Sequence, residues 1–110
     1  MTEPVNLDNL HDMTGGNAEV EKELFNIYLS SSGECLKALQ QSTADEQQEI
    51  WRTQAHAWKG MSLNLGAEPL GKLCAAAQIG HTQPQDKKRE LLAQIEEEYR
   101  RVKTFLSGLL

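Results

Sequence analysis

The residues of this chain best suited to chemistry lie in one short segment, His56-Ala57-Trp58-Lys59-Gly60. A histidine is followed three residues later by a lysine and four residues later by a glycine. Positions three and four apart share one face of an α-helix, so the three residues lie side by side if this segment is helical. The imidazole supplies a nucleophilic nitrogen, the lysine a positive charge, and the glycine open space. This combination suits a histidine that accepts a phosphoryl group from another protein.

Gly60 needs a physical reason, because a glycine inside a helix costs about 1 kcal/mol relative to alanine. One explanation is that another helix packs closely against the bare backbone. The other is that the missing side chain gives a bulky phosphoryl group access to His56. A glycine alone favours the packing explanation, but its position beside His56 and Lys59 favours the access explanation.

Positive charge near His56 comes from Lys59 one turn later and from Arg52 one turn earlier. A phosphoryl group in transfer carries negative charge on its oxygens, which a nearby cation stabilises. We expect Lys59 to have this role and Arg52 to add electrostatic support. Both residues are also explained as ordinary charges on a solvated helix face. For Arg52, this explanation and the electrostatic role are equally well supported.

Glycine, proline and polar clusters divide the chain into five segments with helical periodicity, and none alternates as a half-buried strand does. Asn17 is suited to cap the start of the second helix. The helix that carries His56 spans about residues 46–65 and is ended by Gly66. The predicted helices begin near residues 6, 17, 46, 67 and 84.

Apolar residues three and four apart predict the face that each helix buries. His56 lies about 100° around the helix from Ala55, on the flank of the buried stripe. For the helix of His56, the predicted stripe consists of Trp51, Ala55, Trp58, Ser62 and Leu65. For the second helix, the same spacing selects Val20, Leu24, Ile27, Tyr28, Ser31, Cys35 and Leu39.

Four long amphipathic helices joined by short loops predict an all-α fold, an antiparallel four-helix bundle with the short first helix capping one end. We expect one domain over residues 1–110, with residues 1–5 loose. Gly33 lies inside the second helix and indicates a bend or a close approach of a neighbour. The charged residues Lys87, Lys88 and Arg89 open the last helix, where we expect them to be solvated.

Composition excludes several functional classes. The chain has 110 residues and a formal net charge of -5, with Lys and Arg scattered, which argues against a nucleic-acid partner. No run of about 18 apolar residues is present, so no membrane span is predicted. The N-terminus lacks the features of a signal peptide, which favours the cytoplasm. Cys35 and Cys74 are interpreted as reduced core thiols rather than metal ligands.

Together with the flanking residues, the segment resembles the signature of histidine-containing phosphotransfer (HPt) domains, His-x-x-Lys-Gly followed by Leu-Gly-Ala. The residues that carry the resemblance are 55–60 and 64–67, and the apolar helices on either side extend it over nearly the whole chain. Three positions depart from the family pattern: Ala57 replaces a threonine or serine, Trp58 a leucine, and Met61 a small residue. None of these departures removes the chemistry.

The resemblance implies a phosphocarrier without kinase or nucleotide-binding domain, in multistep two-component signalling. His56 would accept a phosphoryl group on Nε2 from the aspartyl phosphate of a receiver domain and pass it to a second receiver aspartate. The implied partners are response-regulator receiver domains and a hybrid sensor histidine kinase. No cofactor is expected in the chain itself, because Mg²⁺ belongs to the partner receiver. Gln78 lies where some family members carry a side chain that orients the imidazole through Nδ1, and an ordinary polar residue near the end of a helix explains it equally well.

The docking surface for a receiver is expected to surround His56, with methionines as adaptable contacts. Core packing explains any one of its residues equally well. The candidate docking residues are Leu7, Leu10, Met13, Ala57, Met61 and Leu63.

Two alternatives belong to other functional classes. A di-metal enzyme of the bundle type needs Glu-x-x-His motifs on facing helices, and none of the three histidines is preceded by Glu at that spacing. His11 and His81 are therefore interpreted as surface residues. The stronger alternative is a docking module that binds a kinase or receiver without carrying phosphate. We expect a free-standing monomer.

Overall fold

The computed structural model describes residues 3–110, and all regular structure among them is helical. A 3-10 turn over Asp45–Gln47 precedes the third helix, which therefore starts two residues later than predicted. The absence of strands from the described residues confirms the all-α prediction. In chain order, the helices are α1 (Asp8–Thr14), α2 (Ala18–Gln40), α3 (Gln48–Leu65), α4 (Glu68–Ile79) and α5 (Gln85–Ser107).

The ends of the helices follow local chemistry. The side chain of Asn17 accepts a hydrogen bond from the Val20 backbone N–H at 3.2 Å, which caps the start of α2 as predicted. Gly66 ends α3 in the left-handed region at φ 102°. A side chain there would also meet the backbone oxygen of Asn6, which lies 1.9 Å from the position of an added Cβ. Only glycine fits this junction.

The N-terminal segment is joined to the end of α3. The backbone N–H of Asn6 donates to the carbonyl of Gly66 at 2.9 Å, and Val5 is buried in the core. Residues 1 and 2 of the segment expected to be loose lie outside the described residues. At Val5 the structure differs from that expectation, because packing against the bundle anchors the chain there.

The four long helices contact one another in a ring, α2 with α3, α3 with α4, α4 with α5 and α5 with α2, while α1 contacts α2 and α3. Two buried hydrogen bonds show that α2 and α3 run in opposite directions. Trp58 Nε1 donates to Ser32 Oγ at 2.9 Å, and Tyr28 Oη lies 2.8 Å from Ser62 Oγ. The antiparallel arrangement of all four helices, capped at one end, stays a prediction.

The buried face of α3 is the predicted one, since Trp51, Ala55, Trp58, Ser62 and Leu65 are its buried residues. The buried face of α2 differs in its first half. Leu24 and Ile27 are 37% and 61% exposed, whereas Phe25 and Glu21 are buried. The buried face there is shifted by one residue from the predicted one, in the part of α2 where Glu21 bonds to His11 and Thr14 of α1.

Lys88 is not solvated as expected. It is only 1% exposed, and its ammonium lies 5.5 Å from the centre of the Trp51 ring, within the range of a cation–π contact. Its Nζ has no hydrogen-bond partner within residues 3–110. Lys88 therefore holds the Trp51 indole against α5.

Both cysteines are free and buried in the core. Burial raises the pKa of the Cys74 thiol to about 12. The thiolate, which is the nucleophilic form, is scarce at neutral pH for such a group. The interpretation of Cys35 and Cys74 as reduced core thiols is consistent with this environment.

Glu21 joins α1 to α2. Its carboxylate accepts a hydrogen bond from Thr14 Oγ1 at 2.6 Å and lies 2.7 Å from His11 Nδ1. The hydrogen bond from Thr14 and then that from His11 lower the pKa of Glu21 below its usual 4.5. His11 is exposed, as predicted, and its ring also bonds to Glu21.

We expect α1 to loosen from α2 in acid. A carboxyl group whose pKa is lowered by folding stabilises the fold above its unfolded pKa, and this contribution is lost as pH falls through the folded pKa. The protection of the α1 amides, measured as exchange relative to the intrinsic rate at each pH, should therefore fall below about pH 4.5. Glu21→Gln should show the faster exchange already at neutral pH, whereas the exposed Glu19→Gln should behave as wild type. Equal protection of α1 in both variants would contradict this role.

Candidate functional site

His56 lies on the flank of α3 with its ring exposed. Its Nδ1 is 3.2 Å from Oε1 of Gln78 on α4. A carboxamide oxygen only accepts hydrogen bonds, so Nδ1 carries the proton and donates it. The neutral ring then keeps its lone pair on Nε2, which is the nitrogen left to act as a nucleophile. The structure thus brings together the histidine and the residue expected to orient it.

Lys59 follows His56 by three residues on α3 and is half-buried. No carboxylate among residues 3–110 forms a salt bridge with it. Its ammonium is therefore not neutralised by a neighbour, and it shares the outward flank of the helix with the imidazole.

Arg52 is already engaged by a residue that the sequence analysis missed. Its Nε donates to Oε2 of Glu49 at 3.1 Å, and its Nη2 donates to the other oxygen of the same carboxylate. The Arg52 hydrogen bonds lower the pKa of Glu49, and the same bonds raise the pKa of Arg52. The charge that Arg52 presents to His56 is thus offset by Glu49. The spacing of three residues between them was the available signal.

Gly60 faces open space. A Cβ added at this position would meet nothing within 4 Å, so no neighbouring helix needs the glycine. Packing therefore does not explain Gly60, and its role in giving access to His56 stays a prediction. Gly33 on α2 is also free of neighbours within 4 Å, so the expected close approach is absent there.

Gly71 is the glycine that does permit a close approach. A Cβ on Gly71 of α4 would lie 2.6 Å from Cδ2 of Leu63, so the bare backbone makes room for that side chain. Leu63 thereby lies across α4 while it stays 47% exposed. The α4 side of α3 therefore carries Leu63 as well as the contact between His56 and Gln78.

The expected docking residues divide into two groups. Met13 is 72% exposed, and Ala57 and Leu63 are also exposed, while Met61 is half-buried. Leu7 and Leu10 are only 8% and 4% exposed, because α1 turns them into the core. The prediction that these two leucines are exposed surface contacts is therefore wrong.

An apolar groove of about 270 Å³ runs between α1, α2 and α3. Leu24 and Ile27 belong to it, and the sequence analysis missed them because it assigned both to the core. Their exposure on α2 follows from the burial of Phe25 between them. We call this feature the α1–α3 groove; its lining consists of Leu10, Met13, Leu24, Ile27, Tyr28, Met61, Asn64 and Leu65.

A metal site and a membrane span are both absent from the described residues. Over residues 3–110, no three His, Cys, Asp or Glu side chains come close enough together to hold a metal ion. None of the helices described is both long and apolar enough to cross a membrane.

An exposed, oriented histidine on an all-helical scaffold is the arrangement of a phosphotransfer module. A family model described as Hpt domain matches residues 23–105, and the chain belongs to this family. No curated protein and no solved structure matches the chain. Hpt domains are histidine phosphotransfer modules of phosphorelays and interact with receiver domains and histidine kinases. They are phosphocarriers and not kinase or nucleotide-binding folds.

Replacing Gly60 should separate stability from function. Because the site is open and glutamine favours helix over glycine, Gly60→Gln should raise the free energy of unfolding by about 0.5–1 kcal/mol. The same side chain, one turn from His56, should slow phosphorylation of the imidazole by about ten- to a hundredfold through misplacement of the reactants. Gly33→Gln is the matched control, also inside a helix and in open space. It should gain similar stability in denaturant unfolding with unchanged phosphorylation. Loss of stability in Gly60→Gln alone would favour a structural role instead.

Proposed function

We propose that Nε2 of His56 accepts a phosphoryl group from the aspartyl phosphate of one receiver domain and passes it to the aspartate of another. The observation that carries the proposal is the hydrogen bond from Nδ1 to Gln78 on an exposed ring. This bond leaves the Nε2 lone pair free and holds the ring in one orientation. Gly60 leaves the neighbouring position open for the incoming group.

In the transfer, the Nε2 lone pair forms a bond to phosphorus while the bond from phosphorus to the aspartate oxygen breaks. The aspartate leaves as a carboxylate. The proton on Nδ1 stays in place, so the ring gains positive charge, which Oε1 of Gln78 stabilises as an acceptor. The reverse sequence at a second receiver returns the ring to its neutral form.

Lys59 supports the same step through its positive charge. Its ammonium, which forms no salt bridge within residues 3–110, stabilises the negative oxygens of the phosphoryl group during transfer and in the phosphohistidine. The chain supplies no cofactor in this mechanism, and Mg²⁺ comes with the receiver domain.

The receiver and the hybrid sensor kinase dock on the outer surface of α3 and on the α1–α3 groove. Exposed Met13 and half-buried Met61 give that groove an apolar, adaptable lining. A groove of this kind also suits a module that binds a receiver without taking its phosphate, which makes docking alone the second candidate function.

Phosphotransfer from a receiver labelled by a small phosphodonor, such as acetyl phosphate, separates the two functions. We expect the label to move to the wild-type chain and to His81→Gln, but not to His56→Gln, because His56 is the exposed histidine that lies beside Lys59 and the open position at Gly60. Binding of the receiver by His56→Gln should persist. Transfer to neither wild type nor control, with retained binding, would establish the docking module, and transfer to His56→Gln would remove His56 from the mechanism.

Glu49→Gln should strengthen the positive field around His56, because Arg52 is then no longer neutralised. We expect phosphoryl acceptance to speed up by about two- to fivefold at low salt, the size of a surface ion-pair effect, and the gain to vanish at high salt.

Glu97→Gln is the matched control for this effect. It breaks an ion pair of the same spacing with Arg100, on α5. The rate should not change in this variant. An equal gain in both variants would attribute the effect to net charge, and no gain in Glu49→Gln would show that Arg52 does not reach the site.

A further inference from the structure

The last turn of α4, which carries Gln78, is held by groups from outside the helix. Carbonyls at the end of a helix lack partners within it. Here the Ala76 carbonyl accepts from the Gly80 N–H at 2.9 Å, and the Ala77 carbonyl accepts from Trp51 Nε1 at 2.8 Å. The carbonyl of Gln78 itself accepts from the ring of His81 at 3.0 Å. The loop and α3 thus fix three successive carbonyls.

Trp51 is the most constrained of these partners. Its side chain is fully buried in α3, between the Ala77 carbonyl on α4 and the Lys88 ammonium on α5. The Trp51 indole therefore has a contact on each of two sides, a hydrogen bond to Ala77 and a cation–π contact with Lys88. Because Ala77 precedes Gln78 directly, the indole N–H acts one residue away from the side chain that bonds to His56.

We infer that Trp51 is a positioning residue for His56: through its hydrogen bond to Ala77 it holds Gln78 at the distance that orients the imidazole. The inference rests on the proposed function of His56. Trp51 and His56 belong to the same helix, about 7.5 Å apart along its axis. A closed circuit of contacts joins these groups. It runs from the backbone of α3 through the Trp51 indole to the last turn of α4, and from there through the Gln78 side chain back to His56 Nδ1.

This circuit matters because the contact between His56 and Gln78 is close to the longest distance at which a hydrogen bond forms. At 3.2 Å, the bond between His56 and Gln78 is at the long end of its class, and a shift of about half an ångström abolishes it. Without the indole N–H, the buried carbonyl of Ala77 loses its partner, and the turn is free to move toward another donor. The ring of His56 then loses its preference for a proton on Nδ1.

Trp58 provides the matched comparison. It lies on the same helix, is equally buried, and also donates its indole N–H, but to Ser32 on α2. Replacing either tryptophan with phenylalanine removes one buried hydrogen bond and some packing. Only the replacement at 51 removes a bond to α4.

The test measures the tautomers of His56 by ¹⁵N NMR of the ring nitrogens in the unphosphorylated protein. We expect Gln78→Ala and Trp51→Phe to lower the ratio of Nδ1–H to Nε2–H by about two- to tenfold, the factor that one hydrogen bond supports. Trp58→Phe should keep the wild-type ratio. Gln78→Ala combined with Trp51→Phe should fall no further than Gln78→Ala alone.

A wild-type ratio in folded Trp51→Phe, with the ratio lowered in Gln78→Ala, would overturn the inference. So would an equal change in Trp58→Phe, since that marks a general effect of destabilisation. If Trp51→Phe does not fold, replacing the Trp51 indole with the benzothiophene analogue, which keeps the shape of the ring system and lacks the N–H donor, removes the same bond to Ala77. The tautomer ratio of His56 should fall in this protein as well, and a wild-type ratio there would overturn the inference.

These readouts use no phosphate. A failure of His56 to accept a phosphoryl group would therefore leave the tautomer result standing, and the two proposals fail separately.

Discussion

The hydrogen bond between His56 and Gln78 is the contact on which the proposed phosphotransfer depends, and it lies at the surface. A single hydrogen bond contributes only about 0.5–1.5 kcal/mol, so it does not hold two helices in place. It requires α3 and α4 to be positioned by the packing beneath it. The bundle therefore serves the site by making the distance between two exposed side chains independent of the bond that joins them.

Helix α3 meets two opposite demands with one set of residues. Its inner face is buried completely and carries two tryptophans whose N–H groups are both bonded, one to α2 and one to α4. Its outer face is left bare, with a glycine in mid-helix that no packing requires. The stability lost at Gly60 is small compared with the burial of two large aromatic side chains. A helix anchored this strongly can thus keep a residue of low helix propensity, Gly60, beside His56.

The sequence predicted α3 well and α2 only in part, for a physical reason. In α3 the large residues leave one possible buried face, and the helical period alone selects it. In the first half of α2, Leu24 and Phe25 are both apolar, and the structure buries Phe25 and exposes Leu24. This part of α2 contacts a neighbouring helix, α1, through the bonds of Glu21, and the helical period of α2 alone carries no information on such contacts between helices.

The surroundings of a charged residue were predictable where spacing along one helix determines them, and not where packing between helices does. Lys59 lies beside His56 because three residues separate them on one helix. The burial of Lys88 depends on the ring of Trp51, which comes from another helix. A lysine is buried this deeply only rarely, so the sequence favoured the solvated alternative. Glu49 was missed because it affects the site only indirectly, by offsetting the positive charge of Arg52.

The two flanks of α3 have different tasks. Its α4 side carries the contact of His56 with Gln78, whereas Met61 and Asn64 line the α1–α3 groove on the other side. Gly60, the open position beside His56, separates them on the outer surface of the helix. In the proposed docking, a partner seated in the groove would reach the imidazole across Gly60. The family match starts at residue 23, so α1, which forms one wall of the groove, lies outside it. His56 and its neighbours thus lie in the part shared with the family, whereas one wall of the proposed docking groove comes from a helix outside that part, which is bonded to α2 through Glu21.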